Sequence, residues 1–438
     1  MGIKVVKFGG SSLADANQFK KVKNIIKADA ERRYVIPSAP GKRFSDDIKV
    51  TDMLYKCYEI ASKEEDFSGI FQQICERYNE IITELKVDLS LEDEYKKIAE
   101  GFKNHIGRDY AASRGEYLNG IILAKYLGYE FIDAAKVVHF DEKGNYDEEK
   151  TMAFMEKYLS DVKCAVIPGF YGITPNDTIK TFSRGGSDIT GSIVAKAVMA
   201  NLYENWTDVS GFLMADPRIV KNPKPIKYIT YRELRELSYM GATVLHEDAI
   251  FPVRTAGIPI NIRNTNEPDA PGTMIVAAAG EKTNDFVITG IAGRKGFCSV
   301  TLEKDMMNNE LGFGRRVLQI FENHKISFEH LPSGIDTMGV VVSQEEFDND
   351  KESIYKDIQT KVNPDSISVV RDLALIAVVG KGMISQIGTA SIVFKAVSDM
   401  GINIRMIDQG SCELNIIIGV DEKDFDMAMN AIYNAFVK

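Results

Sequence analysis

Two stretches of this chain repeat each other at a constant offset, and that duplication constrains its fold more than any other feature. Gly312 aligns with Gly388, Val317 with Val393, Leu318 with Phe394, Ile326 with Ile402 and Gly334 with Gly410. The apolar runs Val340-Val341-Val342 and Ile416-Ile417-Ile418 coincide as well. Opening strands are expected around Val300-Thr301-Leu302 and Leu375–Val379, with charged helices at Glu345–Lys361 and Glu422–Phe436. Each copy therefore reads strand, loop, helix, strand, turn, strand, helix. That β-α-β-β-α order is a ferredoxin-like half, which gains by pairing with its neighbour.

Before about residue 285 the pattern is different. Short strand candidates (Ile3–Lys7, Tyr34–Ser38, Cys164–Pro168, Thr178–Phe182, Leu202–Trp206, Ile258–Ile262) alternate with amphipathic helices such as Asp109–Leu127, Asp188–Asn201, Tyr231–Met240 and Val244–Ala256. Such alternation favours a largely parallel sheet with helices on both faces and ligands at the carboxyl ends of its strands. The helix-rich stretch Lys49–Leu127 departs from this rhythm and is expected to form a lobe covering a substrate site.

The chemistry gathers at glycine turns. Lys7-Phe8-Gly9-Gly10-Ser11-Ser12 follows the first strand and leads to a helix from about Asp15. Adjacent glycines let backbone N–H groups approach an anion, and a helix N-terminus adds a positive dipole end. Lys7 adds a full charge. The spacing is not that of a Walker loop, and a plain strand–helix turn accounts for the glycines alone. Ser183-Arg184-Gly185-Gly186-Ser187-Asp188 repeats the arrangement, with Arg184 able to grip an anion bidentately. Asp188 reads either as an N-cap or as a functional carboxylate. Glu116, in Ser113-Arg114-Gly115-Glu116, suits an ammonium ligand or a solvated first-turn position. Trp206–Gly211 and Asp216-Pro217-Arg218 form polar turns suited to a nucleotide, although a buried Trp and a bland turn would have the same composition.

A formal net charge of −10 argues against a dedicated nucleic-acid binder. The scattered cysteines form no C-x-x-C pair and the histidines no zinc spacing. The apolar run at the N-terminus is broken by Lys4 and Lys7, and Val6 stands where a myristoylation motif needs Ser or Thr. No apolar run approaches the ~20 residues that span a bilayer. A soluble cytoplasmic protein with no membrane or nucleic-acid partner is expected.

In combination and order, these motifs resemble the aspartokinases within the amino acid kinase family. Lys7–Ser12 is similar to the opening signature, Ser113–Glu116 to the Ser-Arg-Gly-Glu element, and Ser183–Asp188 to the Arg-Gly-Gly-Ser-Asp element. Trp206–Gly211 with Asp216–Arg218 is similar to the nucleotide segment, and Gly241–His246 to Gly-Ala-Lys-Val-Leu-His. The duplicated region resembles tandem ACT domains. The resemblance implies an amino acid kinase fold over residues 1–285, a mostly parallel sheet sandwiched by helices, then two ferredoxin-like ACT domains at 286–370 and 371–438. It also implies transfer of the γ-phosphoryl of ATP, carried with Mg²⁺, to the β-carboxylate of L-aspartate. A carboxylate with pKa near 4 is ionised at neutral pH, so this acceptor needs no general base.

By the same resemblance Lys7 bridges acceptor and phosphoryl, helped by Gly9, Gly10 and Ser11, while Asp188 orients Lys7. Arg184 takes the substrate α-carboxylate and Glu116 its ammonium, with Thr51 and Ser38 as substrate-side hydroxyls. Thr207, Asp208 and Arg218 hold the nucleotide. Two positions depart from the family pattern: Leu213 replaces a Tyr and Thr243 a Lys, both on the nucleotide side. No protein-bound metal is expected.

An effector site is expected in the first copy, with Gly312 and Phe313 offering a helix N-terminus for a carboxylate. Met306, Asn308, Asn309, Glu329, Ser333 and Asp336 line the rest. The resemblance makes lysine the first effector and threonine the second; purely structural repeats are the plainer alternative. Exposed edge strands imply at least a homodimer, with a tetramer left open. Another amino acid kinase, such as a glutamate 5-kinase, and an amino-acid sensor without catalysis are the competing readings.

Overall fold

The computed structural model describes residues 2–183, 185–241, 250–277, 285–410 and 412–437. Contacts divide the chain into two compact units. One comprises Met1–Phe212, Lys227–Tyr231 and Val244–Lys282, and the other Leu213–Ile226, Arg232–Thr243 and Thr283–Lys438. The short segments 213–226 and 232–243 therefore belong by contact to the duplicated unit, although they precede residue 285.

The first unit opens with β1 (Lys4–Phe8), α1 (Ala16–Lys27), β2 (Arg32–Pro37) and four consecutive helices, α2 (Val50–Ala61), α3 (Ser68–Leu85), α4 (Glu92–Lys103) and α5 (Arg108–Leu127). It continues through β3 (Glu130–Phe131), α6 (Glu148–Leu159), β4 (Ala165–Val166), β5 (Tyr171–Ile173), β6 (Ile179–Thr181), α7 (Gly186–Ala197) and β7 (Leu202–Thr207). After β8 (Tyr228–Thr230) comes α8 (Tyr231–Tyr239), which belongs to the second unit from Arg232 onward, followed in the first unit by α9 (Phe251–Thr255), β9 (Ile260–Asn264) and β10 (Thr273–Val276).

The main sheet runs β3-β4-β2-β1-β7-β9-β10-β8. Every neighbouring pair is parallel except β9 with β10. Because side chains alternate along a strand, Val6, Phe8, Val35 and Trp206 enter one core with the apolar faces of α1 to α5. The opposite face carries Val5, Lys7, Tyr203 and Asn205, and α7 lies on it.

Two expectations need correction. The stretch Lys49–Leu127 is not a separate lobe: its helices share the sheet's own core, and α5 is buried along most of its length. The Thr178–Phe182 strand lies outside the main sheet, where β5 and β6 form a two-stranded antiparallel ribbon. Among the described residues no helix is long and apolar enough to cross a membrane.

The second unit carries both copies. The first holds β11 (Gly290–Glu303), α10 (Phe313–Asn323), β12 (Phe328–His330), β13 (Thr337–Ser343), α11 (Gln344–Asn349) and α12 (Lys351–Lys361). The expected Glu345–Lys361 helix is thus broken in two at Asp350. The second copy holds β14 (Ser366–Val379), α13 (Thr389–Asp399), β15 (Met406–Asp408), β16 (Asn415–Asp421) and α14 (Phe425–Phe436).

Six strands make one sheet, β12-β13-β11-β14-β16-β15. The copies exchange strands at its centre. Phe297–Glu303 of β11 lies between β13 and the start of β14, whereas Gly290–Arg294 pairs with the end of β14, which also pairs with β16. The register breaks between Arg294 and Phe297, beside Gly296 (φ 94°) and Asp372 (φ 53°). Residues 290–294, expected within the first copy, therefore complete the sheet of the second.

Candidate active site

The glycine turn after β1 holds a charged pair against α7. Lys7 Nζ lies 2.5 Å from Asp188 Oδ1, and Lys7 is 8% exposed. Asn205 Nδ2 donates to the same Asp188 oxygen at 2.8 Å. Lys7 and Asn205 are paired residues on neighbouring parallel strands and so point to one face. Asp188 sits in the first turn of α7, whose start follows Gly185 in the left-handed region at φ 57°. The N-cap position is Gly185, three residues before Asp188, so the capping alternative does not describe Asp188.

Close backbone contact builds the rest of the corner. Gly9 N donates to Trp206 O at 2.9 Å, Ser38 N to Phe8 O at 3.0 Å and Gly41 N to Gly10 O at 2.8 Å. A Cβ on Gly10 would stand 2.9 Å from Ala39 O, and one on Gly41 only 2.7 Å from Ser11 N. Both positions require glycine because backbone, not a movable side chain, occupies that space. The turn at residues 9–11 and the loop at 38–41 are thereby held as one surface at the carboxyl ends of β1 and β2, where α/β sheets bind ligands.

Helix α5 grips the same loop. Glu116 is 6% exposed, accepts a backbone hydrogen bond from Ala39, and has an Oε2 with no hydrogen-bond partner among the described residues. Burial pushes its carboxyl up to about 8, against the opposing pull of Ala39, its own backbone, Arg114 and Lys7. One turn later Asn119 Nδ2 donates to Ser38 O at 2.7 Å. The Cβ direction of Gly115 points to Ala39 Cβ (2.7 Å) and Thr51 Oγ1 (3.7 Å), which places Thr51 against the helix turn that carries Glu116. Arg114 faces the rings of Tyr110, Tyr117 and Tyr171 and bonds to Ser113, so it is a packing residue.

On the nucleotide side, Thr207 ends β7 and its hydroxyl donates to Asp208 Oδ1 at 3.2 Å. Asp208 is exposed. Trp206 is core: it stacks on Phe8 at 6.0 Å and donates to Glu204 at 2.9 Å. Arg218 lies in the other unit, 85% exposed, with its guanidinium 2.6 Å from Asp216. Leu213 is also in that unit and 38% exposed. Arg184, Thr243 and most of Gly241–His246 lie outside the described residues.

Residues 2–264 match the amino acid kinase family, and residues 376–436 match an ACT domain. Aspartokinase 3 of Bacillus subtilis is 40% identical to this chain, over 99% of the chain and 98% of the relative. The chain belongs to the aspartokinases. The crystal structure of Clostridium acetobutylicum aspartate kinase, described as an allosteric enzyme, superposes with a TM-score of 0.92 at 53% identity, covering 100% of both chains. Escherichia coli aspartokinase III, solved with aspartate and ADP, shares the fold at 23% identity and a TM-score of 0.72, covering 99% of each chain.

In the duplicated unit of this aspartokinase, the expected effector residues are divided between the loop before α10, strand β12 and the turn before β13. Gly312 (φ 77°) precedes α10, Phe313 is buried, and Asn308 and Asn309 belong to a 3-10 turn that follows Met306. Met306 is 65% exposed. Glu329, on β12, has a buried Oε2 without a partner among the described residues, while the Tyr239 hydroxyl of α8 hydrogen-bonds to its carboxylate. Ser333 and Asp336 lie in an exposed turn closed by Gly334 N to Thr337 O at 2.7 Å.

Proposed function

We propose that this aspartokinase transfers the γ-phosphoryl of ATP to the β-carboxylate of L-aspartate, giving 4-phospho-L-aspartate and ADP at the start of lysine, threonine and methionine synthesis. One observation supports this reading: Lys7, buried at the glycine turn, forms a charged pair with Asp188. A β-carboxylate oxygen forms the new bond to the γ-phosphorus as the bond to the bridging oxygen of ADP breaks. The obstacle is bringing two anions together, which positioning and positive charge overcome. Lys7 supplies that charge, and the backbone N–H groups of Gly10 and Ser11 supply donors that cost no reorganisation. Asp188 holds Lys7 in place.

Glu116 offers its Oε2, which has no partner among the described residues, to the substrate ammonium, with Thr51 and Ser38 as substrate-side hydroxyls and Arg184 on the α-carboxylate. Thr207 and Asp208 take the nucleotide. Mg²⁺ would ride on the phosphates, where it draws charge from the leaving group.

Glu116 makes the reading testable by pH. A neutral Glu116 does not attract an ammonium, so the KM for aspartate should fall about tenfold per unit as pH rises toward 8, then level off. Glu116→Gln should raise this KM and flatten the profile. A wild-type KM that does not vary with pH would remove Glu116 from the ammonium site.

Feedback is assigned to the ACT copies, 286–370 and 371–438, with lysine first and threonine second. An amino-acid ligand needs an anion site and an ammonium site; the N-terminus of α10 suits its carboxylate, and Glu329 on β12, with an Oε2 that has no partner among the described residues, is the acidic side chain assigned to it. Homodimerisation is assigned to the duplicated unit, whose outermost strands expose Phe328 and Ile407. Aspartyl hydroxamate formed from MgATP, L-aspartate and hydroxylamine should depend on aspartate and be suppressed by lysine. Suppression by threonine alone would reverse the effector order, and no product with retained lysine binding would favour a sensor.

A further inference from the structure

We propose that Asn205 is a positioning residue for phosphoryl transfer, holding the Asp188 carboxylate in the orientation that Lys7 requires. The inference rests on the assignment of Lys7 and Asp188 to the reaction. Asp188 Oδ1 receives both Lys7 Nζ at 2.5 Å and Asn205 Nδ2 at 2.8 Å. Two donors on one oxygen restrict the carboxylate more tightly than either alone. The second donor is neutral, so it fixes Asp188 without competing with Lys7 for negative charge.

The support behind Asn205 is rigid. It lies inside β7, pairs with Lys7 across β1, pairs with Ile262 across β9, and is 3% exposed. The next inward-facing residue, Tyr203, donates its hydroxyl to the backbone oxygen of Asp188 at 3.1 Å and fills the space beside Gly191. Strand β7 thus holds both the side chain and the main chain of Asp188, while Asp188 holds Lys7. A carboxylate free to turn away would let the Lys7 ammonium follow it, and misplacement by about 1 Å costs about 10²-fold in rate.

The test is a double-mutant cycle with full kinetics. Asn205→Leu keeps the buried volume and removes the donor; Asn205→Ala serves if the leucine variant does not fold. The expected result is a fall in kcat of about tenfold to a hundredfold, with KM for aspartate and for ATP within about twofold of wild type. Melting temperature should stay within a few degrees. Combined with Asp188→Ala, the Asn205 change should cost nothing further, because it acts only through that carboxylate.

Three results would overturn the proposal: an unchanged kcat, a loss confined to KM or melting temperature, or effects that multiply in the double variant. Full turnover in Asp188→Ala itself would defeat the Lys7–Asp188 assignment, and the Asn205 proposal with it. Collapse of Asp188→Ala beside an unimpaired Asn205→Leu would defeat the Asn205 proposal alone.

Discussion

Replacing Lys7 by alanine should lower turnover by at least about 10³-fold while leaving the fold and effector binding intact. The magnitude follows from the role. A single charged group that stabilises a transferring phosphoryl is worth about 10³ to 10⁵ in rate where it has been removed elsewhere. Among the described residues, the other cation acting on Glu116 is Arg114, enclosed by three tyrosine rings and bonded to Ser113, so it does not replace Lys7. Structural damage should be small, because the Asp188 side chain left behind keeps 17% exposure and its Asn205 donor. Steady-state hydroxamate formation with a thermal melt checks both halves. Unchanged turnover would take Lys7 out of the reaction, and a lowered melting temperature would mean that the pair also supports the fold.

Arg77→Leu should have the largest effect on stability, because this buried cation holds the loop on the substrate side. Arg77 is 4% exposed; it donates to Ile48 O at 3.0 Å, to Ala14 O at 3.2 Å and to Gly41 O, and pairs with Asp47 at 3.4 Å. Removing one partner of a buried pair costs about 3–5 kcal/mol, since the other charge stays uncompensated. Here the lower end applies, because Arg43 also binds Asp47 through Nε at 2.9 Å and holds its carboxyl well below the usual range. Three carbonyls would still lose a donor. Urea unfolding should show a loss of about 3 kcal/mol. In the folded variant KM for aspartate should rise, because Gly41 packs against Gly10 and its loop leads to Thr51. A loss under about 1 kcal/mol would show that water replaces the guanidinium at little cost.

Local features of the chain were legible without coordinates. A strand breaking into Gly9-Gly10 beside Lys7, a second turn at Gly185-Gly186 before Asp188, and two copies with aligned glycines each depend on neighbours in sequence. Backbone freedom, hydrophobic period and helix starts are properties of such neighbours. Features that join distant segments were not legible. Asn205 sits in a run that reads as an ordinary strand, and its meaning appears only when β7 lies beside β1. Arg77 reads as a surface residue of an amphipathic helix until the carbonyls of Ala14, Gly41 and Ile48 close around it. The helices α2 to α5 looked like an excursion because periodicity shows that a helix has an apolar face, not which surface covers it.

The sequence by itself determined the kinds of element, their order, the duplication and the two glycine turns that carry charge, since these follow from short-range sterics and side-chain period. Tertiary structure alone decided that Asp188 would face Lys7 and Asn205 rather than cap its helix, that Glu116 would be buried with an oxygen unpaired among the described residues, and that the start of β11 would complete the second copy's sheet. Each of these depends on which strands become neighbours and on how much water their packing excludes. Register and burial are properties of the assembled sheet, not of any single segment.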